Sequence, residues 1–304
     1  MAQRVEIPGS ARAVDPEHQQ MGAVDSEKTI DVTVYLRPSG SLDWVDQEAG
    51  RAPAERRTMS RDELASATGA SDEDIAAVRS FAGENGLEVV AVDKGRRAMT
   101  LRGTVKAVAE AFEAQGLQVY EHPTAGRYRG RQGPLTVPSS LAGVITGVFG
   151  IDDRPQARAH LRRRAAKAAA QSSYTPPEVA AAYSFPTGVN VSGQTAAILE
   201  LGGGFSQTDL DTYFQSLGVT APTVSAVSVD GGTNSPGTDP NADGEVMLDI
   251  EVLGSVAPGA KIVVYFAPNT DQGFIDALST AVHDSTNKPS VVSISWGGPE
   301  DSWT

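Results

Sequence analysis

Short apolar segments alternate with segments of helical pattern throughout the second half of the chain. The first apolar segment is interrupted only by Glu200 and is followed by three glycines. Continuously apolar strands are buried on both faces of a sheet, and a helix between successive strands makes those strands parallel. The sequence therefore predicts an α/β fold with a doubly wound parallel sheet, with strands at Ala196–Leu201, Val224–Val229, Lys261–Ala267 and Ser290–Ser295 and helices at 206–217, 245–257 and 271–284. Four strands would leave a sheet edge and a face uncovered, so we expect this domain to be incomplete at Thr304.

The first half has a different pattern, in which strands and helices follow the order β-α-β-β-α-β. Ser60, Ser71 and Thr104 stand where helix N-caps are expected, and Ser60 with Glu63 forms a capping-box pattern. The order is that of a ferredoxin-like α+β domain, with strands predicted at Thr29–Arg37, Leu87–Asp93, Arg97–Arg102 and Leu117–Glu121.

Charge also divides the chain. Residues 178–304 contain 15 Asp and Glu but only two Lys, whereas residues 1–177 contain 23 residues of each sign. This asymmetry indicates two domains and argues against a nucleic-acid-binding surface in the second half. We predict a first domain at 1–152, a linker at 153–175 and a second domain at 176–304.

Composition excludes several classes of protein. The chain has no cysteine, which excludes disulfides, thiolate metal sites and a cysteine nucleophile. No apolar stretch of about 18 residues is present, so no membrane-spanning segment is predicted. Residues 1–20 lack the apolar core of a standard secretory signal.

The linker is strongly basic, with no acidic residue between Arg154 and Glu178. It is interpreted either as a solvated basic linker or helix on an acidic surface, or as an exposed, cleavable tether joining two domains that attract each other electrostatically. The two interpretations are compatible.

Two carboxylates on the predicted helix 245–257 are the strongest candidates for chemistry. Glu245 and Asp249 are four residues apart and share one helix face, where their like charges repel and no Lys or Arg is near in sequence. The helix is otherwise largely apolar, and buried carboxylates are unfavourable unless partnered. The pattern fits a solvated acidic stripe, a metal site or paired carboxylates for acid–base catalysis.

Two strand ends add to this pattern. Glu200 lies at the end of the first strand, and Ser295, Trp296, Gly297 and Gly298 end the last one. Open α/β sheets build their sites at the carboxyl ends of strands. This order follows the layout of subtilisin-like proteases: a carboxylate on a strand, ionisable residues on a helix, and a later strand with Ser-x-Gly-Gly. Here Glu245 and Asp249 stand on the helix where a histidine is expected.

The sequence resembles the sedolisin, or serine-carboxyl peptidase, family. The resemblance is strong through most of 174–304 and looser over 29–152, and it is carried by Tyr174–Pro186, AAILELGGG at 196–204, DGEVMLDIEVLGSVAPGAKI at 243–262, YFAPNTDQGF at 265–274 and KPSVVSISWGGPEDSW at 288–303. It implies an activation domain, removed by autoprocessing, before the N-terminal part of a subtilisin-like catalytic domain.

The resemblance also implies roles for the candidate residues. Glu245 would be the general base of a Ser-Glu-Asp triad, and Asp249 would orient it. Glu200 and Trp296 would extend the hydrogen-bond network behind this pair, and Ser295, Trp296, Gly297 and Gly298 would line the substrate backbone.

Carboxylates suit proteolysis at acid pH. A histidine is protonated at about pH 3–4, whereas a glutamate, with an ordinary pKa near 4.3, is still partly ionised. We therefore expect an acid endopeptidase that acts on peptides or proteins, is inhibited by its own prodomain until cleavage between about Arg164 and Thr175, and is extracellular like its family.

The family's nucleophilic serine, oxyanion aspartate and calcium ligands all lie downstream of the segments present here. We therefore expect calcium to bind only in the complete enzyme, with no metal ligands within this chain, and the 304-residue chain to be inactive. A non-catalytic peptide-binding or inhibitory protein is the main alternative, and a metal site at Glu200, Glu245 and Asp249 is a third.

Overall fold

A computed structural model describes residues 3–13, 15–123, 126–159, 161, 174–186 and 188–298 of the chain. Two compact units are present among the described residues, one made of the residues up to Pro155 with Thr270–Gln272, and the other of Gln156–Asn269 with 273–298. Residues 164–173, which include most of the predicted cleavage segment, lie outside the described residues. Within the described part, no helix combines the length and apolar character needed to span a membrane.

The first unit contains nine strands and four α-helices among its described residues. The strands are β1 (Arg4–Glu6), β2 (Gln19–Ala23), β3 (Thr29–Leu36), β4 (Glu88–Asp93), β5 (Ala98–Thr104), β6 (Gln115–His122), β7 (Gly126–Gln132), β8 (Thr136–Pro138) and β9 (Ile145–Phe149), and the helices are α1 (Asp43–Ala49), α2 (Arg61–Thr68), α3 (Asp72–Glu84) and α4 (Val105–Phe112).

An antiparallel sheet of order β4-β5-β3-β9 forms the centre of this unit. Its apolar face packs against α3 and α4 in one core, which includes Val32, Val34, Met99 and Leu101 from the sheet and Val78, Phe81, Val108 and Phe112 from the helices. The predicted N-caps form, since the side chains of Ser60, Ser71 and Thr104 accept hydrogen bonds from the first turns of α2, α3 and α4. The ferredoxin-like fold is confirmed.

The fourth strand of that sheet is not the one predicted. The segment Leu117–Glu121 lies in β6, but β6 pairs with β2 and β7 in a separate three-stranded sheet. Its place beside β3 is taken by β9, which contributes buried Ile145 and Val148 to the core. The physical reason is composition, because β6 buries only Tyr120 fully and β9 is more apolar.

The second unit is built around a parallel sheet. Its strands are β10 (Arg158–Ala159), β11 (Thr195–Glu200), β12 (Thr223–Ser228), β13 (Lys261–Phe266), β14 (Val291–Ile294) and β15 (Trp296–Gly297), and its helices are α5 (Pro176–Ala182), α6 (Gln207–Leu217), α7 (Pro240–Val256) and α8 (Asp271–His283). The sheet has the order β12-β13-β11-β14, and all three pairings are parallel.

Helices cover both faces of this sheet, as the doubly wound prediction requires. One face packs with α6 and α7 through a core that includes Ile198, Val264, Phe214 and Ile250. The opposite face, with Leu199 and Tyr265, packs with Ala277 and Ala281 of α8.

Helix α7 begins five residues before the predicted start at Glu245. Asp239 caps it by accepting hydrogen bonds from the backbone N–H groups of Asn241 and Ala242, and Pro240 occupies the first helical position. The loop before the helix therefore ends at Asp239, and Glu245 lies in the second turn of the helix. The start of α7 lies close to the carboxyl end of β11, because Gly203, just after that strand, approaches the backbone of Ala242 and Asp243.

Candidate active site

Glu200, the last residue of β11, is fully buried. The indole Nε1 of Trp296 donates a hydrogen bond of 2.6 Å to Oε2 of Glu200, while Oε1 of Glu200 has no hydrogen-bond partner among the described residues. Burial raises the pKa of Glu200 to about 9; the negative charges of Asp249 and Glu245 add to this rise, and the hydrogen bond from Trp296 opposes it. Glu200 is therefore a neutral carboxylic acid at acid and neutral pH.

Glu245 and Asp249 lie one turn apart on α7, so that their side chains share a helix face. Glu245 is 3% exposed and Asp249 is half-buried. Burial raises the pKa of Asp249, and a hydrogen bond from the hydroxyl of Ser295 opposes this rise. The structure thus brings the three predicted carboxylates into one shielded cluster.

The Ser-Trp-Gly-Gly segment meets the cluster through two side chains. Ser295 Oγ donates a 2.6 Å hydrogen bond to Asp249 Oδ2, a contact that its predicted substrate-lining role does not include. Trp296 packs in the core and bonds to Glu200, and Trp296 and Gly297 together form β15. Gly298 follows directly at the end of this strand.

Gly203 explains how the strand end approaches the helix. It has a left-handed backbone conformation (φ 68°), and a Cβ placed there would lie 2.6 Å from backbone atoms of Ala242 and Asp243 in the first turn of α7. Only glycine permits both this conformation and this approach at low cost. The loop after Glu200 can therefore lie against the helix that carries Glu245.

The start of the linker lies in this site as an extended strand. Arg158 pairs with Gly297 and Ala159 with Trp296 in antiparallel register. Two residues further along, the backbone N–H of Leu161 donates a 2.6 Å hydrogen bond to Glu245 Oε2. Residues 158 and 159 of the linker thus form a strand and not a helix, because β15 offers that strand a partner. The interpretation as a cleavable tether stays a prediction, since most of the predicted cleavage segment lies outside the described residues.

Asn269 is a residue of the site that sequence reasoning missed. Its Oδ1 accepts hydrogen bonds from the N–H groups of Gln156 (3.1 Å) and Ala157 (3.0 Å), and its Nδ2 donates to the carbonyl of Ala157 (2.7 Å). A signal was available, because this polar residue closely follows the buried strand β13, at a strand end where open α/β sheets place functional groups.

The cluster does not form a metal site. Among the described residues, no group of three or more His, Asp or Glu side chains is arranged to hold a metal ion. The third interpretation from the sequence, a carboxylate metal site, therefore has no structural support.

Comparison with known proteins gives consistent matches. The Pro-kumamolisin activation domain family matches residues 16–154. Kumamolisin from Bacillus sp. (strain MN-32) is 49% identical over 98% of this chain and 56% of its own length. Tripeptidyl-peptidase sed5 from Aspergillus fumigatus is 27% identical over 95% of this chain and 55% of its own length. The chain thus spans about half the length of these curated relatives.

Among solved structures, this chain is similar to Pseudomonas sedolisin, a serine-carboxyl proteinase, in complex with two molecules of pseudo-iodotyrostatin. The similarity covers 41% of this chain and 35% of that one, with 22% identity and a TM-score of 0.34.

Proposed function

We propose that this chain, a member of the sedolisin family of serine-carboxyl peptidases that carries the family's activation domain, is the precursor part of an acid-acting serine endopeptidase. In this proposal the first unit assists folding and inhibits the enzyme, and the second is the N-terminal part of the catalytic domain. The nucleophilic serine is supplied by sequence downstream of Thr304.

One observation carries the proposal: Oε2 of the buried Glu245 accepts a hydrogen bond from a peptide strand that lies antiparallel to β15. This oxygen therefore faces a path that accommodates an extended polypeptide. In the complete enzyme, a serine hydroxyl in place of the Leu161 N–H would give its proton to Glu245 as it attacks the substrate carbonyl. The same hydrogen bond makes the linker an inhibitor, since it occupies the base.

Asp249 and Glu200 act behind the base. Asp249 would orient Glu245 and share a proton with it, as paired carboxylates do. Glu200, held neutral by burial, adds no third negative charge to the cluster. Ser295 donates to Asp249 and so favours its ionised form. This arrangement keeps a proton acceptor available at a pH where histidine is charged.

The proposal also includes calcium binding by the complete enzyme and the extracellular location of that enzyme. The sedolisin resemblance implies that the calcium ligands lie downstream of Thr304. No catalytic step proposed here passes through the ion. Extracellular location, peptide or protein substrates and autoprocessing follow from the family resemblance.

The test is a pH profile of peptide hydrolysis by the complete precursor after acid incubation. We expect an acid optimum and a loss of about 10²–10⁴-fold in kcat for Glu245→Gln. Glu178→Gln, which changes an exposed helix-capping residue of the same unit, is the matched control. A neutral optimum that Glu245→Gln leaves unchanged would refute the proposal.

Autoprocessing has a separate test. N-terminal sequencing after incubation of the complete precursor at low pH should show a new terminus between Arg164 and Thr175. A precursor that stays uncut would argue against self-processing. Turnover by the purified 304-residue chain would show that the nucleophile is not downstream.

A further inference from the structure

In the described part of the linker, Asn269 makes its hydrogen bonds to backbone atoms. Its carboxamide oxygen uses both acceptor sites on two successive N–H groups, and its nitrogen donates to the carbonyl of Ala157. Only one orientation of the amide satisfies all three hydrogen bonds. Because the contacts involve no linker side chain, any extended peptide in the same path can make them.

Successive side chains of the linker strand alternate between buried and exposed positions. Arg158 is exposed, whereas Ala157 and Ala159 are partly buried against an apolar cluster of the second unit. This alternation follows from strand geometry, in which neighbouring side chains point to opposite sides. The cluster comprises Ala197, Leu199, Leu201, Val229, Ala242, Val263, Tyr265, Ala267, Ala277, Ala281 and Trp296.

Close packing of this cluster limits what can replace the two alanines. Leu199, Val263 and Tyr265 are fully buried, so the surface below the strand has little freedom to retract. Additional side-chain volume at either alanine position must displace the strand or the core, whereas additional volume at the Arg158 position extends into solvent.

We propose that Asn269 binds the backbone of the substrate and that the cleft selects small side chains at two alternating substrate positions, those occupied here by Ala157 and Ala159. These lie four and two residues before the residue whose N–H meets Glu245. The position between them accepts any side chain. This inference rests on the proposed function, since it takes the linker path as the substrate path.

The first test uses the 304-residue chain and measures hydrogen exchange of the linker amides. Asn269→Ala should raise the exchange rate of the Gln156 and Ala157 amides at least about tenfold, because their acceptor is removed. Asn190→Ala, in an exposed loop of the same unit, is the control. Unchanged exchange in β11 will show that the unit is still folded, and unchanged exchange at 156–157 would overturn the role of Asn269.

A matched pair of substitutions tests the size selection in the same chain. Ala159→Phe should expel the strand and expose the linker amides to exchange, whereas Arg158→Phe should leave them protected. Equal protection in the two variants would overturn the selection of small side chains.

The second test uses the complete, processed enzyme and peptides of the sequence Gln-Ala-Arg-Ala-His-Leu with an extended C-terminus. Phe in place of either Ala should lower kcat/KM at least about tenfold, and Phe in place of Arg should lower it by much less. Asn269→Ala should raise KM for all peptides alike. Absence of any hydrolysis would refute the proposed function, whereas hydrolysis with equal tolerance of Phe at all three positions would refute this inference alone.

Discussion

Glu200→Gln should make the second unit more stable at neutral pH and leave it nearly unchanged at pH 4. The glutamine has the same shape, and its carbonyl can still accept the hydrogen bond from Trp296. In the wild-type protein, burial raises the pKa of Glu200 to about 9 from an ordinary value of 4.5. The folded state therefore keeps a proton that the unfolded state releases as the pH rises above 4.5.

The magnitude follows from this difference. The stabilising contribution is fully present below about pH 4.5 and is lost progressively as the pH rises towards 9. Between pH 4.5 and pH 7 the loss is about 1.4 kcal/mol per pH unit, or about 3 kcal/mol in the free energy of unfolding. Glutamine does not titrate, so the variant should escape this loss.

Hydrogen exchange of the β11 backbone amides measures the effect at the site. After correction for the intrinsic pH dependence of exchange, protection should fall about a hundredfold more in the wild type than in Glu200→Gln between pH 4 and pH 7. Some loss remains in the variant, because burial also raises the pKa of Asp249. Asp211→Asn, which removes an exposed carboxylate from α6, is the control. The same loss of protection in wild type and Glu200→Gln would refute the assignment of a neutral, buried acid.

Three further predictions concern other parts of the structure. Ser295→Ala should raise the pKa of Asp249, because the hydroxyl that donates a 2.6 Å hydrogen bond to its carboxylate is lost. Ser295→Thr keeps a hydroxyl and should leave this pKa unchanged. Carboxyl ¹³C titration of the 304-residue chain will measure the pKa of Asp249 in both variants. Burial and a neighbouring histidine lower the pKa of His122, so the unfolded state takes up a proton before the folded state does. Acidification below about pH 6.5 should therefore weaken the β2–β6–β7 sheet and reduce the hydrogen-exchange protection of the β6 amides. His122→Gln should reduce this loss of protection. Gly203→Ala should lower the free energy of unfolding more than Gly218→Ala does, because both glycines have positive φ but only Gly203 contacts α7. Gly218→Ala should lower it by about 1–2 kcal/mol, and urea titrations will measure both variants.

Local patterns in the sequence predicted most of the helices and strands. The caps at Ser60, Ser71 and Thr104 form because each depends on contacts within one turn. The start of α7 was missed, although Asp239 followed by Pro240 is itself a local helix-start signal. These features depend on residues that are close in sequence.

Long-range pairing was the part that the sequence did not reveal. β3 pairs with β9 and not with β6 because β9 can bury more apolar surface. The order of strands and helices along the chain does not reveal which of the two strands pairs with β3. At the site, the spacing of Glu245 and Asp249 predicted a shared helix face. The contacts of Asn269 with the linker were not predictable, because they join residues more than a hundred positions apart.

The pairing of β10 with β15 sets an order of events during synthesis. Residues 158–159 leave the ribosome long before Trp296 and Gly297, so their strand has no partner until nearly all of this sequence has been made. Closing so long a loop is entropically costly, which favours docking of the linker on a sheet that is already assembled. The state of the linker, accessible or protected, therefore reports whether this part of a newly made molecule has finished folding.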